Sequence, residues 1–98
     1  MSAEEYIHSF SDYIFWDVDK DQIDLSSNAP FVVRRVLEYG QIDDWRLLLD
    51  YYGLRKIVEI AQGVRYLDPK ALSFISTVSG TSRDQYRCYT TRHLAPTL

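Results

Sequence analysis

The sequence has little cysteine, little histidine and no long apolar run, and each shortage excludes a class of protein. Cys88 is the single cysteine among 98 residues, which excludes an internal disulfide and a zinc site built from several cysteines. His8 and His93 lie near opposite ends, without a second histidine or cysteine at ligand spacing, so we expect no metal and no other cofactor. No run of about 18 apolar residues exists, so we expect no membrane span.

Further absences narrow the function. The opening MSAEEYIHSF lacks the basic region and apolar block of a secretory signal, and we expect a cytoplasmic protein. There is no glycine-rich phosphate loop and no serine elbow, and we expect no enzymatic activity. Alternating aspartates from Asp17 to Asp24 resemble the start of a calcium loop. However, the positions that need glycine and glutamate hold Gln22 and Asn28, so the match fails.

The sequence does contain a series of helical patterns that end at glycines. Three successive amphipathic segments run from Asn28 onward and end at Gly40, Gly53 and Gly63. A fourth segment follows, and no stretch has the alternation of a strand. The sequence therefore predicts an all-α fold, a compact bundle of about five short helices in a single domain over residues 1–98.

Capping residues and apolar positions add detail to this pattern. Asp43 and Asp68 each precede an apolar periodic run and are predicted to be N-caps. Trp45 falls on the apolar face of the middle helix and is predicted to be largely buried, and Trp16 is expected to dock on the helices. The predicted buried face of the helix after Asp68 consists of Ala71, Phe74, Ile75 and Val78.

The two ends of the chain have weaker patterns. Residues 1–14 form an N-terminal extension that fits either one amphipathic helix or a frayed end. Residues 90–98 contain a proline and no periodicity, so we expect an extended tail.

Residues 69–89 fit a helix-turn-helix pattern. Gly80 would form the turn, and Ser82 with Gln85 three residues later would open the second helix with a capping box. Tyr86 and Tyr89 would then pack inside. The residues presented to DNA would be Arg83, Gln85 and Arg87, with Arg92 just beyond the helix. Many helix pairs joined by a glycine have this pattern without touching DNA.

Charge is unevenly distributed along the chain. Residues 1–50 carry 11 acidic and 4 basic side chains, a formal net charge of −7, whereas residues 51–98 carry 3 and 7, a net charge of +4. This asymmetry indicates either a charged partner or solvated helix faces that happen to differ. Tyrosine is also enriched in protein interfaces. The candidate partner-binding residues are Asp17, Asp19, Asp21, Tyr51 and Tyr66.

Four short motifs add a resemblance to a known family. They are Phe15-Trp16-Asp17, Asp44-Trp45-Arg46, Tyr51-Tyr52-Gly53 with Lys56-Ile57, and Tyr86-Arg87-Cys88-Tyr89. With these motifs the chain resembles, over residues 15–94, a small uncharacterised bacterial family whose members are often encoded beside a nucleotidyltransferase toxin of the abortive-infection type. The resemblance implies an antitoxin-like role and supplies no catalytic residue.

Two functions of different classes follow as expectations. The first is a non-enzymatic protein-interaction module that binds a toxin-like neighbour. The alternative is a helix-turn-helix transcriptional regulator, which would need to act as a homodimer to place two recognition helices about 34 Å apart on DNA.

Overall fold

The computed structural model describes residues 2–87, and this part of the chain is all-α, as predicted. Its elements are five α-helices and three single 3₁₀ turns, with no strand among the described residues. The helices are α1 (Ala3–Ser9), α2 (Ala29–Tyr39), α3 (Ile42–Tyr52), α4 (Leu54–Gly63) and α5 (Pro69–Ser79). The 3₁₀ turns span Asp12–Phe15, Lys20–Gln22 and Arg83–Gln85. None of the helices within residues 2–87 combines the length and apolarity that a membrane crossing requires.

The start of α5 confirms its predicted cap, whereas the start of α3 does not. Asp68 accepts a hydrogen bond from the backbone N–H of Lys70 at 2.8 Å. In α3 the N-cap is Gln41, and the carboxylate of Asp44 accepts from the Gln41 backbone N–H at 2.9 Å. The prediction of Asp43 as N-cap is therefore wrong. Its neighbour Asp44 closes a capping box, because it stands three residues after Gln41.

Glycines shape the helix ends in two different ways. Gly53 and Gly80 have positive φ, +82° and +69°, and end α3 and α5 as predicted. Gly40 has an ordinary φ of −73°, but a Cβ there would lie 2.6 Å from the carbonyl oxygen of Val36. Glycine at position 40 therefore allows the close corner between α2 and α3.

The core forms around α2, which contacts α3, α4 and α5, while α1 packs on α3. Of the two alternatives for residues 1–14, the structure favours the amphipathic helix, since α1 buries Tyr6 and Ile7. The Tyr6 hydroxyl also donates a hydrogen bond to the Asp50 carboxylate, which raises the pKa of Tyr6. Side chains that are fully buried in this core include Ile14, Val32, Val33, Leu48, Ile57, Ala61, Ile75 and Tyr86.

The helix faces differ from the prediction at the edge of the bundle. Trp45 is half-buried rather than largely buried, and its ring packs edge-to-face on Phe74 with centroids 5.0 Å apart. Phe74 and Val78 are exposed, although Ala71 and Ile75 are buried as predicted. The buried face of α5 instead includes Leu72 and Ser76. Phe74 and Val78 therefore lie beside this face rather than on it.

The prediction of a continuous second helix from Ser82 is wrong over the residues that the structure describes. Ser82 and Gln85 do form the predicted capping box, but it encloses one 3₁₀ turn, and Tyr86 is extended with φ −102° and ψ 126°. The extended backbone lets Tyr86 enter the core, where its hydroxyl lies 2.6 Å from Thr81 Oγ1. Tyr89 and the predicted tail over residues 90–98 lie outside the described residues.

Candidate partner-binding surface

The connection between α1 and α2, which we call the strap (residues 11–25), begins at a buried carboxylate. Ser11 donates its backbone N–H to Asp44 Oδ1 at 2.8 Å and its hydroxyl to Asp44 Oδ2 at 2.9 Å. Asp44 is only 2% exposed. Because Asp44 also accepts from Gln41, one carboxylate joins the start of the strap to the start of α3.

The middle of the strap is held by Arg35 of α2. Its guanidinium donates to the carbonyl oxygen of Ile14 at 2.8 Å and to Asp17 Oδ2 at 2.7 Å. The same guanidinium lies 4.8 Å from the centroid of the Phe31 ring. Its hydrogen bond lowers the pKa of Asp17, so this carboxylate stays ionised and paired at neutral pH.

The rest of the strap has its own fixed points. Lys20 Nζ donates to the carbonyl oxygen of Phe10 at 2.8 Å and to Asp12 Oδ1 at 2.7 Å, and this contact lowers the pKa of Asp12. At the far end the Tyr52 hydroxyl donates to the carbonyl oxygen of Leu25 at 2.5 Å. Burial raises the pKa of Tyr52, so it remains the donor at neutral pH. The strap is thus anchored at its start, middle and end.

The strap turns one aromatic side chain inward and its neighbour outward. Phe15 is 2% exposed, whereas Trp16 is 76% exposed, so the expectation that Trp16 docks on the helices is wrong. In a 3₁₀ turn, here Asp12–Phe15, residues three apart share a face and adjacent residues do not. Tyr13 and Trp16 therefore point outward together, while Phe15 contacts the rings of Phe10 and Phe31.

The exposed indole lies in the most acidic part of the chain. Residues 1–25 contain seven acidic side chains and one lysine, a formal net charge of −6. The three aspartates predicted to bind a partner all lie on the strap. Asp17 pairs with Arg35, Asp19 accepts from the backbone N–H of Asp21, and the Asp21 carboxylate lies 3.0 Å from His8 Nε2.

The two tyrosines predicted as partner contacts lie elsewhere. Tyr51 is half-buried between the rings of Tyr6 and Tyr52, with centroids at 5.0 and 4.8 Å. Tyr66 is 61% exposed in the connection between α4 and α5, 5.7 Å from the guanidinium of Arg34. The structure does not bring either of them to the strap.

The residues predicted to contact DNA do not form a helix face in the described chain. Arg83 is exposed and donates to the Ser73 hydroxyl at 2.7 Å. Gln85 accepts from the backbone N–H of Ser82. Arg87 is exposed, and Arg92 lies outside the described residues.

Sequence reasoning missed a second surface feature, an apolar cleft between α2, α3 and α5. It has a volume of about 140 Å³ and is lined by Val36, Leu37, Gly40, Gln41, Ile42, Trp45 and Phe74. Ile42 is 58% exposed at its mouth. The apolar periodicity at Trp45 and Phe74 indicated burial. No neighbouring residue in the sequence indicated that both rings lie at the solvent-exposed edge of the bundle.

Comparison with known families identifies the segment that contains the strap. Residues 10–61 match the model of a family of unknown function, DUF6922. The matched segment contains the strap, α2, α3 and most of α4. Comparison with curated proteins and comparison with solved structures each gave no match. Since the match covers just over half of the 98 residues, the chain belongs to the DUF6922 family.

Proposed function

We propose that this chain is a protein-binding module that docks through the strap and serves as the cytoplasmic, antitoxin-like partner of a nucleotidyltransferase toxin. The main evidence for a binding role is the exposure of Trp16, which is 76% exposed on an anchored, acidic segment. The resemblance at Phe15-Trp16-Asp17 and Asp44-Trp45-Arg46 supports the kind of partner.

The energetic argument rests on the indole. Full burial of a large apolar side chain contributes about 1.5–3 kcal/mol relative to exposure, and tryptophan is enriched among the residues that dominate binding energy. Hydrogen bonds from Arg35 and to Asp44 already order the strap, so docking loses less conformational entropy than ordering a free loop would. The matching partner surface is an apolar pocket with a basic rim, because the strap carries five aspartates and one lysine, a formal net charge of −4.

The direct test is co-expression with the product of the neighbouring gene, which the proposal expects to be a nucleotidyltransferase. We expect one complex in size-exclusion chromatography, and we expect Trp16→Ala to weaken its affinity at least tenfold, or about 1.4 kcal/mol. Tyr66→Ala is the matched control, because Tyr66 is also exposed but lies in another connection. Separate elution of the two wild-type proteins would refute the proposal.

The transcriptional regulator remains the alternative proposal, and duplex binding separates the two. We expect weak or no binding to random duplex DNA, because the acidic strap repels the phosphate backbone and the predicted recognition helix begins as a 3₁₀ turn that is followed by the extended Tyr86. Fluorescence anisotropy against salt concentration measures this. Tight binding at low salt that Arg87→Glu abolishes would favour the regulator over the protein-binding module.

A further inference from the structure

We infer that the apolar cleft between α2, α3 and α5 receives one apolar side chain of the same partner that docks on the strap. This inference rests on the proposed function for the partner's identity, but the chemistry of the cleft stands on its own. The partner segment would carry basic residues toward the strap and a single leucine-, methionine- or phenylalanine-like anchor at the cleft.

The walls of the cleft suit an apolar anchor. Trp45 and Phe74 form an edge-to-face pair at an interplanar angle of 85°, and Ile42 stands exposed beside them. The volume is about 140 Å³. An enclosed apolar cavity of about 150 Å³ accepts benzene, so one side chain of this size fits the cleft.

The cleft and the strap are connected through α2 and through Asp44. Arg35 holds Asp17 of the strap, and Tyr39, one helical turn further along α2, is 54% exposed. Gly40 and Gln41 then line the cleft itself. Tyr39 and Gln41 are exposed along this path, so one partner segment that lies over the end of α2 would reach both sites.

The second connection runs through the buried carboxylate. Asp44 accepts from Ser11 at the start of the strap and from Gln41 at the cleft wall. The two sites therefore keep a fixed spacing in the free protein. A fixed spacing favours a single partner segment over two independent ligands, because the second contact then adds little ordering cost.

The acidic residues near the cleft favour a basic partner segment. The strap, which Asp44 joins to the start of α3 beside the cleft, carries a formal net charge of −4. Asp43 at the start of α3 is also exposed, 4.0 Å from Arg46. A second copy of this chain would bring its own acidic strap against the first, whereas a basic partner is attracted. The side chain that fills the cleft is therefore an apolar residue within a basic segment of the partner.

The cleft can be tested with N-acetylleucinamide as the probe, by NMR of the full chain. We expect saturable shifts of the Trp45 indole N–H that Ile42→Asp removes. Leu54→Asp is the matched control, because Leu54 is also exposed but lies outside the cleft, and it should keep the shifts. Phe74→Gln is a second cleft variant, to be used if Ile42→Asp does not fold. Absent shifts, or shifts that survive a folded cleft variant, would overturn the inference.

The complex separates this inference from the proposed function. We expect Ile42→Asp to weaken binding to the nucleotidyltransferase at least tenfold, as Trp16→Ala does. If Trp16→Ala weakens the complex and Ile42→Asp does not, the cleft inference fails while the binding module stands. If no complex forms, the proposed function fails, and the N-acetylleucinamide titration still decides whether the cleft takes an apolar group. A wild-type homodimer that Ile42→Asp converts to a monomer would also overturn the inference.

Discussion

Replacing Phe15 with alanine is expected to lower the free energy of unfolding by about 3–5 kcal/mol, whereas replacing Trp16 should change it by no more than about 0.5 kcal/mol. Phe15 is 2% exposed and its loss leaves a cavity between Phe10 and Phe31. Trp16 is 76% exposed and fills no space in the core. Urea denaturation monitored by far-UV circular dichroism measures both values.

The adjacent aromatic residues act as controls for each other. They have similar chemistry and differ in the direction that the 3₁₀ turn gives them. A Trp16→Ala variant that loses as much stability as Phe15→Ala would show that the indole is part of the core. The proposed docking surface would then lose its central residue.

Replacing Asp44 with alanine is expected to lower the free energy of unfolding by about 3 kcal/mol. The backbone N–H groups of Ser11 and Gln41 and the Ser11 hydroxyl would all lose the buried carboxylate as acceptor. A hydrogen bond to a charged group contributes about 1.5–3 kcal/mol, and the partly buried donors can recover only part of the loss from water. The matched control is Asp43→Ala. Asp43 is exposed, and its single ion pair in the described residues, with Arg46 at 4.0 Å, is a weak surface pair. Thermal or urea unfolding of the two variants measures the difference.

The result for Asp44 also bears on the strap. Without this carboxylate the first residue of the strap is released from α3, so amide hydrogen exchange at Ser11 should accelerate in Asp44→Ala and not in Asp43→Ala. Equal stability and equal exchange in the two variants would contradict the anchoring role.

The helices could be predicted because their signals are local. Apolar spacing defined α2, α3, α4 and α5, and the caps at Asp68 and Ser82 depend on residues two or three positions away. The choice between Asp43 and Asp44 could not be made in this way. A capping box from Gln41 was available locally, but the decisive partner, Ser11, is 33 residues distant.

The strap shows a different limit. Periodicity indicates a buried face only when the type of element is known, and the sequence around Phe15 and Trp16 has neither a helical nor a strand period. The 3₁₀ turn gives the two adjacent aromatic side chains different directions, and the contacts with Phe10 and Phe31 hold Phe15 in the core. If both aromatic residues are assumed to be buried, the exposed binding site at Trp16 is not predicted.

The segment after α5 shows why a cap does not predict helix length. Ser82 and Gln85 satisfy the first turn whether or not a second turn follows. The burial of Tyr86 requires an extended backbone, and that requirement comes from the core rather than from neighbouring residues. Apolar spacing on α5 likewise indicated burial of Phe74 and Val78, although the helix packs through a neighbouring stripe.

The most direct test of the binding module is quenching of Trp16 fluorescence by acrylamide in a Trp45→Phe background, where Trp16 is the single tryptophan. Because Trp16 is 76% exposed, we expect strong quenching in the free protein. Addition of the proposed nucleotidyltransferase partner, produced with its own tryptophans replaced by phenylalanine, should protect the indole and reduce the quenching constant severalfold. An unchanged quenching constant in a complex that has formed would contradict docking through the strap.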